Sequence, residues 1–349
     1  MMKRRLLTMA AGTCVMLMLA IAVSAPVFAA PPQIIEITVN DHNPEQTGPA
    51  QVIAYWAQKA NELGQGRIKV TVHHGGKFLL GHEEYTGTQK GVVDASYYVL
   101  DRRDGLLLNT VMQLPFMGWP DQEKAGQIYV QLMKKFPQVR GEFKGVMPYV
   151  FSMMPPTHIH NNKRVVKTPA DLKGLTIHSA EHMLVQALEA SAATAVQLDI
   201  TDMHPALVRG IIDGVVNHFP VLFVFNVLEL VPFHTIFGKG GVNMTQMGII
   251  WNEKKWNSYP PDVKKILTDA AHFYTEKFYE MDYGMQAMTV KFCKDKNHTF
   301  TELTPQEIKV WYDLVKKPIH DRWIAEAAAK GLPGKAVYDE ALKLIQKQK

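Results

Sequence analysis

The chain has 349 residues, of which 47% are hydrophobic and 20% charged, and its formal net charge at pH 7 is +5. Three of the cations are Lys3, Arg4 and Arg5, so the rest of the chain carries only +2, which excludes the basic footprint of a nucleic-acid-binding protein. Because single cores stop growing at roughly 250–300 residues, this length predicts two lobes.

The N-terminus has the three parts of a secretory signal peptide. A basic start, "MMKRRLL", precedes an apolar run from Thr8 to Val23, and "SAPVFAA" places small residues at Val27 and Ala29. The apolar run is short for a membrane span of about 20 residues, so we expect cleavage after Ala29 and export. The mature chain then keeps a single cysteine, Cys293, and no internal disulfide.

The chain from Gln33 to Leu100 alternates predicted strands and helices. The stretches "QIIEITVND", "IKVTVHH" and "VVDASYYVL" predict strands. Between them, "GPAQVIAYWAQKANEL" has helical spacing, and "GGKFLLGHEEYTGTQKG" predicts a loop that leads into a helix. The order β-α-β-α-β predicts a parallel or mixed sheet covered by helices.

The middle of the chain repeats this style without repeating the sequence. Strands are predicted for "VMPYVFSMM", "LTIHSA", "TAVQLD" and "IIDGVVNHF", with helical segments at "KTPADLKG", "EHMLVQALEASAA" and "TDMHPALVRG". From Pro260 the apolar residues recur at steps of three and four, which predicts a long helix and then a helical C-terminal tail.

The fourteen histidines form no recognisable metal or catalytic motif. His158 and His160 are too close for the helical pair of a zincin, and no HExxH or paired CxxC accompanies them. On a strand they would share a face, so metal binding stays the less favoured alternative to polar or solute-facing roles. There is no GxSxG, Walker or GxGxxG motif, and Cys293 lies within the long helix pattern. We therefore expect no metal, no cofactor and no enzyme.

Four stretches, in order, resemble the solute-binding proteins of TRAP transporters, the tripartite ATP-independent periplasmic uptake systems, of the DctP type. They are "VTVHHGGKFLLGHEEYTGTQKGVVDASYYV", "QLPFMG", "TPADLKGLTIH" and "ALVRGIIDGVVNHFP". The resemblance implies an α/β, two-lobed periplasmic-binding-protein-like fold with a long helix spanning both lobes. It also implies a small solute held in the inter-lobe cleft, small and large TRAP membrane subunits as partners, and a periplasmic location in a Gram-negative bacterium.

The resemblance and the element order together suggest a division of the chain. Residues 1–29 are the signal peptide. Lobe I is predicted to comprise residues 30–153 and about 240–283. Lobe II is predicted to comprise residues 154–239 and about 284–349, including the helical tail.

The residue that ends the Leu-Lys-Gly-Leu-x-Ile segment is typically an arginine in that family, and it grips the carboxylate of the solute by a bidentate pair. Here it is His178. One alternative keeps an acid, held by His178 together with His158 or His218 and with a pH-dependent charge. Another is an apolar or neutral solute, and a third is a structural histidine. We favour an aromatic or hydrophobic acid.

Further solute-binding residues follow from the resemblance. Asn217 aligns with a solute-binding asparagine, and Thr157 and His158 occupy the neighbourhood of a second missing arginine. Glu83 and His42 are expected to face the cleft, with a capping role as the alternative for Glu83. Aromatic side chains are expected to line the cleft at Tyr97, Tyr98, Phe116 and Phe219.

Two other functions remain as alternatives to a transport receptor. The first is an exported enzyme on the same two-lobed scaffold, with histidines as acid and base. The second is a ligand-binding partner of a membrane sensor.

Overall fold

The structure, a computed structural model, describes residues 34–100, 102–198 and 200–348. The predicted signal peptide lies outside the described residues. The strands are β1 (Ile35–Asn40), β2 (Ile68–His73), β3 (Ala95–Val99), β4 (Val146–Met153), β5 (His158–Asn161), β6 (Thr176–His178), β7 (Thr194–Val196), β8 (Gly214–Asn217), β9 (Phe233–Ile236), β10 (Gln246–Asn252) and β11 (Thr299–Glu302).

The helices alternate with these strands until residue 260 and then dominate the chain. They are α1 (Gly48–Gly64), α2 (Glu84–Lys90), α3 (Gln122–Lys135), α4 (Pro137–Gly141), α5 (His182–Ala190), α6 (Met203–Val208), α7 (Phe219–Val224), α8 (Glu253–Ser258), α9 (Pro261–Asp295), α10 (Pro305–Val315), α11 (Arg322–Ala329) and α12 (Gly334–Lys347). A π-helical segment, Lys316–Asp321, joins α10 to α11.

The strands form two mixed sheets. The first has the order β2-β1-β3-β10-β4, with β1 parallel to β2 and β3 and with β10 antiparallel to both of its neighbours. The second has the order β11-β9-β5-β8-β6-β7, in which β5 is antiparallel to β8 and β9 and the other pairs are parallel. This architecture confirms the predicted α/β fold.

Alternating burial explains why the first elements form. In β1 the side chains of Ile37 and Val39 are buried, and in α1 the buried residues Val52, Ile53 and Trp56 form one stripe that packs with them. A helix presents such a stripe when apolar residues recur at steps of three and four. The pairing of a half-buried strand with an amphipathic helix builds the first half of the fold.

The chain crosses from the first sheet to the second and back through two segments, residues 154–157 and 237–245. The segments are hydrogen-bonded to each other, because Met154 N donates to Thr245 O at 2.8 Å and Val242 N donates to Thr157 O at 2.7 Å. The crossing is therefore a two-stranded connection rather than two independent linkers.

The 35-residue helix α9 passes both sheets. At 1.5 Å per residue it is roughly 52 Å long. Its first half buries Val263, Leu267 and Tyr274 in the apolar cluster of the first sheet, whereas Cys293 near its end belongs to the cluster of the second sheet. This placement confirms the predicted long helix. Among the described helices, none combines the length and apolar content needed to cross a bilayer.

The helical tail touches both halves of the molecule. Trp323 Nε1 donates to Leu107 O at 3.1 Å, and Trp311 Nε1 donates to Lys167 O at 3.1 Å. All strands of the first sheet come from the residues assigned to lobe I, and all strands of the second come from those assigned to lobe II. The lobe boundaries themselves stay a prediction.

Candidate functional site

One face of the second sheet gathers several of the predicted solute-binding residues. His178 pairs in register with Val196 and Val215, and His158 pairs with Asn217. Val215 and Val196 pack in the apolar cluster on this face, whereas Ile177 packs on the opposite face. Because laterally paired side chains project to the same side, His178, Asn217 and His158 share this face.

His178 is buried and presents a hydrogen-bond acceptor. Its Nδ1 lies 3.2 Å from the main-chain oxygen of Val196, and burial lowers the pKa of the ring despite that hydrogen bond. A carbonyl oxygen only accepts, so Nδ1 carries the proton of the neutral ring and Nε2 carries a lone pair. Among the described residues, nothing bonds this buried Nε2. His178 therefore does not reproduce the donors of an arginine.

His158 and His218 have the opposite tautomer. Nδ1 of His158 accepts the N–H of Phe237 at 3.4 Å, and Nδ1 of His218 accepts the N–H of Val221 at 3.4 Å. In the neutral rings Nε2 then carries the proton and is a donor. Burial lowers the pKa of His158 to about 3 and that of His218 to about 4, so both stay neutral at physiological pH. The rings of His158 and His218 therefore offer neutral N–H donors instead of the pH-dependent charge that the sequence analysis considered.

Asn217 and Phe219 complete this group. The Oδ1 of Asn217 accepts the N–H of His218 at 2.9 Å, and its main-chain oxygen lies 3.0 Å from Nε2 of His160. The ring of Phe219 lies 6.0 Å from that of His158 and 4.8 Å from that of His160. Phe219 thus begins α7 and packs its ring on the histidines of β5.

Thr157 belongs to a hydrogen-bonded network in the crossing. Its Oγ1 donates to Asn243 Oδ1 at 2.6 Å, and Asn243 Nδ2 donates to Glu181 Oε2 at 2.7 Å. Thr245 Oγ1 also donates to that carboxylate, at 3.3 Å, and burial raises the pKa of Glu181. Sequence reasoning missed Glu181 and Asn243. The signal was the position of Glu181, three residues after His178.

A second polar group lies at the end of β1. His42 Nδ1 lies 3.0 Å from Oε1 of Glu84. The centroid of the His42 ring lies 5.4 Å from that of the Tyr97 ring. Burial raises the pKa of Glu84 to about 7, although His42 opposes the shift. The exposed Glu83 instead accepts the N–H of Leu80 at 2.9 Å and so caps the turn. The inward carboxylate of this segment is Glu84, which the sequence analysis did not select.

Tyr98 and Phe116 do not join either group. Tyr97 and Tyr98 are consecutive on β3, so they project to opposite faces and fall in different apolar clusters. The Tyr98 hydroxyl donates to Asp104 at 2.6 Å. Phe116 has a positive φ of 58° and packs its ring against Trp311 at 5.6 Å. The structure therefore does not place these two rings beside the histidine face.

A cavity of about 610 Å³ opens beside this face. Among the described residues that line it, His158 is the only predicted solute-binding residue. The rest of the lining is mostly polar and comes from the start of α3, from Pro156, from residues 238–239 and from Tyr283 and Gln286 of α9. His158, which is buried, therefore contributes to the wall of this cavity.

Metal-ligating side chains converge beside this group, on β9 and around the end of α9. His160 Nδ1 lies 2.8 Å from His234 Nδ1, and His234 in turn approaches His298 and Cys293.

The family described as "Bacterial extracellular solute-binding protein, family 7" matches residues 39–326. A curated relative, the uncharacterized protein y4mM of Sinorhizobium fredii, is 27% identical over 176 residues, which cover 47% of this chain and 30% of the length of that relative.

Solved structures of similar fold cover nearly the whole chain. A TRAP periplasmic solute-binding protein from Desulfovibrio salexigens has a TM-score of 0.80 at 26% identity, covering 90% of this chain and 96% of its own. One from Rhodoferax ferrireducens, in complex with copurified benzoate, has 0.77 at 21%, covering 90% and 98%. A marine metagenome protein with co-crystallized 3-hydroxybenzoate has 0.77 at 22%, also covering 90% and 98%. These matches confirm the predicted periplasmic-binding-protein-like fold class.

Proposed function

This chain belongs to the bacterial extracellular solute-binding proteins, family 7, and on that premise we propose that it is the periplasmic receptor of a TRAP-type transporter. It binds one small organic acid with an aromatic or hydrophobic body in the inter-lobe cleft. It then delivers the acid to the small and large membrane subunits, without turnover.

The observation that carries the choice of an acid is the tautomer of two buried histidines. The Nε2–H groups of the buried residues His158 and His218 are donors beside Asn217, which the resemblance aligns with a solute-binding asparagine. A carboxylate is an acceptor-only group, and hydrogen bonds to a charged partner contribute about 1.5–3 kcal/mol each. Two neutral donors beside Asn217 replace the missing arginine fork without a buried cation.

The lone pair of His178 adds a second selectivity element. A buried acceptor without a partner favours a solute that brings a donor, such as a hydroxyl group. The Phe219 ring offers a flat apolar surface near His158. We therefore infer a hydroxylated aromatic acid, a class to which the 3-hydroxybenzoate held by the marine metagenome protein belongs.

Closure of the lobes couples binding to delivery. Glu181, from the second-sheet half, bonds Asn243 and Thr245 in the crossing segment. A solute that adds contacts only in the closed form shifts the population toward that form. The membrane subunits then recognise the surface of the closed form.

A thermal-shift screen of the mature protein against aromatic acids, aliphatic acids, sugars and amines tests the proposal. A ligand at 100 times its Kd stabilises the fold by about 2.7 kcal/mol. Hits among hydroxylated aromatic acids, of equal size at about pH 5.5 and about pH 8, support neutral imidazole donors. Hits confined to sugars or amines contradict the proposal. His272→Gln, at an exposed histidine on α9, serves as the control variant.

A further inference from the structure

A cluster of three metal-ligating side chains, on β9 and around the end of α9, adjoins the proposed solute group, since the ring of His234 lies 5.2 Å from that of Phe219. Nε2 of His234 lies 3.0 Å from Nδ1 of His298. These two nitrogens and the Sγ of Cys293 all lie within 4.8 Å of one another. His234 and Cys293 are buried, and His298 is partly exposed.

The local fold brings Cys293 and His298 together. Helix α9 ends at Asp295, and Asn297 adopts the left-handed conformation with φ of 59°. The N–H of His298 donates to Cys293 O at 3.0 Å, and the N–H of Asn297 donates to Lys294 O at 3.0 Å. This pair of bonds is a Schellman motif, which places the side chains of its first and last residues in contact.

The sheet then supplies the third side chain. Directly after His298 the chain enters β11, which runs parallel to β9, and Phe300 pairs with His234 in register. The helix end and the strand pairing therefore fix the main-chain positions of all three residues through backbone hydrogen bonds. Metal sites built on such elements need little ordering when the ion binds.

A chain of hydrogen bonds fixes His234 in its metal-binding tautomer. Nε2 of His160 must donate to the main-chain oxygen of Asn217, 3.0 Å away, so the Nδ1 of neutral His160 accepts. Nδ1 of His234, 2.8 Å away, must then be the donor. The Nε2 of neutral His234 is left with its lone pair directed at His298. Ligating histidines typically donate their other N–H in this way.

We propose that His234 Nε2, His298 Nδ1 and Cys293 Sγ form a binding site for a thiophilic divalent cation of the zinc class. A tetrahedral ion with bonds of about 2.0 Å to nitrogen separates two nitrogen ligands by roughly 3.3 Å, close to the 3.0 Å between the two imidazoles. Binding replaces the hydrogen bond between them, and the proton on Nδ1 of His298 moves to Nε2 of the same ring, which frees the Nδ1 lone pair for the ion. The Cys293 thiol loses its proton to solvent, and water takes the fourth position.

Two features support entry and retention of the ion. His298 is partly exposed, so it opens the site to solvent. The flanking charges, Glu229 and Lys296, form an ion pair at 2.7 Å and add no net repulsion.

Titration of the chelator-treated mature protein with Zn²⁺ and with Co²⁺ tests the site. We expect one equivalent to bind, with release of one proton and, for Co²⁺, a thiolate charge-transfer band in the near ultraviolet. Cys293→Ser removes the band and weakens Zn²⁺ binding at least tenfold, and His298→Ala weakens it similarly. His272→Ala, at an exposed histidine of the same helix, leaves both unchanged.

Two results overturn the site. The first is the absence of stoichiometric binding to the intact protein. The second is binding that Cys293→Ser and His298→Ala leave unchanged, which places the ion on other histidines. Each variant is first compared with the parent by thermal unfolding in chelator, so that a folding defect is recognised. If His298→Ala is unstable, the near-isosteric Cys293→Ser still decides the test. Neither result depends on the proposed solute.

Discussion

His320 ties the helical tail to the first half of the molecule, and its replacement has a pH-dependent cost. The ring is buried between Pro115 O, 2.9 Å from Nε2, and the Tyr338 hydroxyl, 2.9 Å from Nδ1. The carbonyl requires a proton on Nε2, and the neutral ring then accepts the hydroxyl. Burial lowers the pKa of His320 to about 4 from an ordinary value of 6.5.

The magnitude follows from proton linkage. Between pH 6.5 and about 4 the unfolded chain binds the proton and the folded chain does not, so stability falls as the pH falls. From pH 7 to pH 5 this one group removes about 2 kcal/mol. His320→Leu leaves the buried Pro115 oxygen without a donor and costs about 1–3 kcal/mol at pH 7. The variant lacks the titration, so its deficit should nearly vanish at pH 5.

The assay is urea unfolding of parent and variant at both pH values, followed by far-ultraviolet circular dichroism in chelator. The difference between the two proteins cancels every other titrating group. His272→Leu, at an exposed position, should show no pH-dependent difference. A deficit of His320→Leu that is the same at pH 7 and pH 5 refutes the reasoning.

Three further predictions concern the polar groups. Glu84→Gln removes a carboxyl group whose pKa is raised to about 7. As the pH rises from 5 to 8, the parent should therefore lose about 2–3 kcal/mol of stability relative to the variant. A difference in unfolding free energy between the two proteins, measured in urea, that is the same at both pH values contradicts this. Thr157→Val breaks the 2.6 Å bond to Asn243 and should cost about 1–3 kcal/mol in urea unfolding, and an unchanged midpoint refutes the network. His178→Arg should shift the thermal-shift profile toward small dicarboxylates or 2-keto acids, and an unchanged profile means that the side chain does not meet the solute.

Sequence patterns predicted the elements that have one buried face. β1 and β2 alternate buried and exposed residues, and α1 has a clear apolar stripe. In contrast, β10 is buried along its whole length between β3 and β4, so "QMGIIWN" has no alternation to detect. β9 and β11 were also missed, because each is a four-residue strand whose partner is distant in sequence.

The candidate site was predictable only in part for related reasons. The resemblance selected His178 and Asn217 as candidates, but a motif does not state which imidazole nitrogen is protonated. That assignment comes from main-chain partners such as Val196 O, which only the fold supplies. Glu83 adopts the capping role that the sequence analysis kept as its alternative, and the sequence did not show that the neighbouring Glu84 is the buried carboxylate. Cys293 and His234 are far apart in sequence and meet only through the pairing of β9 with β11.

The central claim is that neutral imidazole donors hold the carboxylate of an aromatic acid. Isothermal titration of the mature protein with 3-hydroxybenzoate and with its neutral amide, 3-hydroxybenzamide, tests it most directly. The account predicts one-site binding of the acid, an amide that binds at least tenfold more weakly, and a loss of roughly tenfold or more in acid affinity for His218→Phe, which removes one donor to a charged group. Equal affinity for acid and amide, or an acid affinity unchanged in His218→Phe, would contradict it.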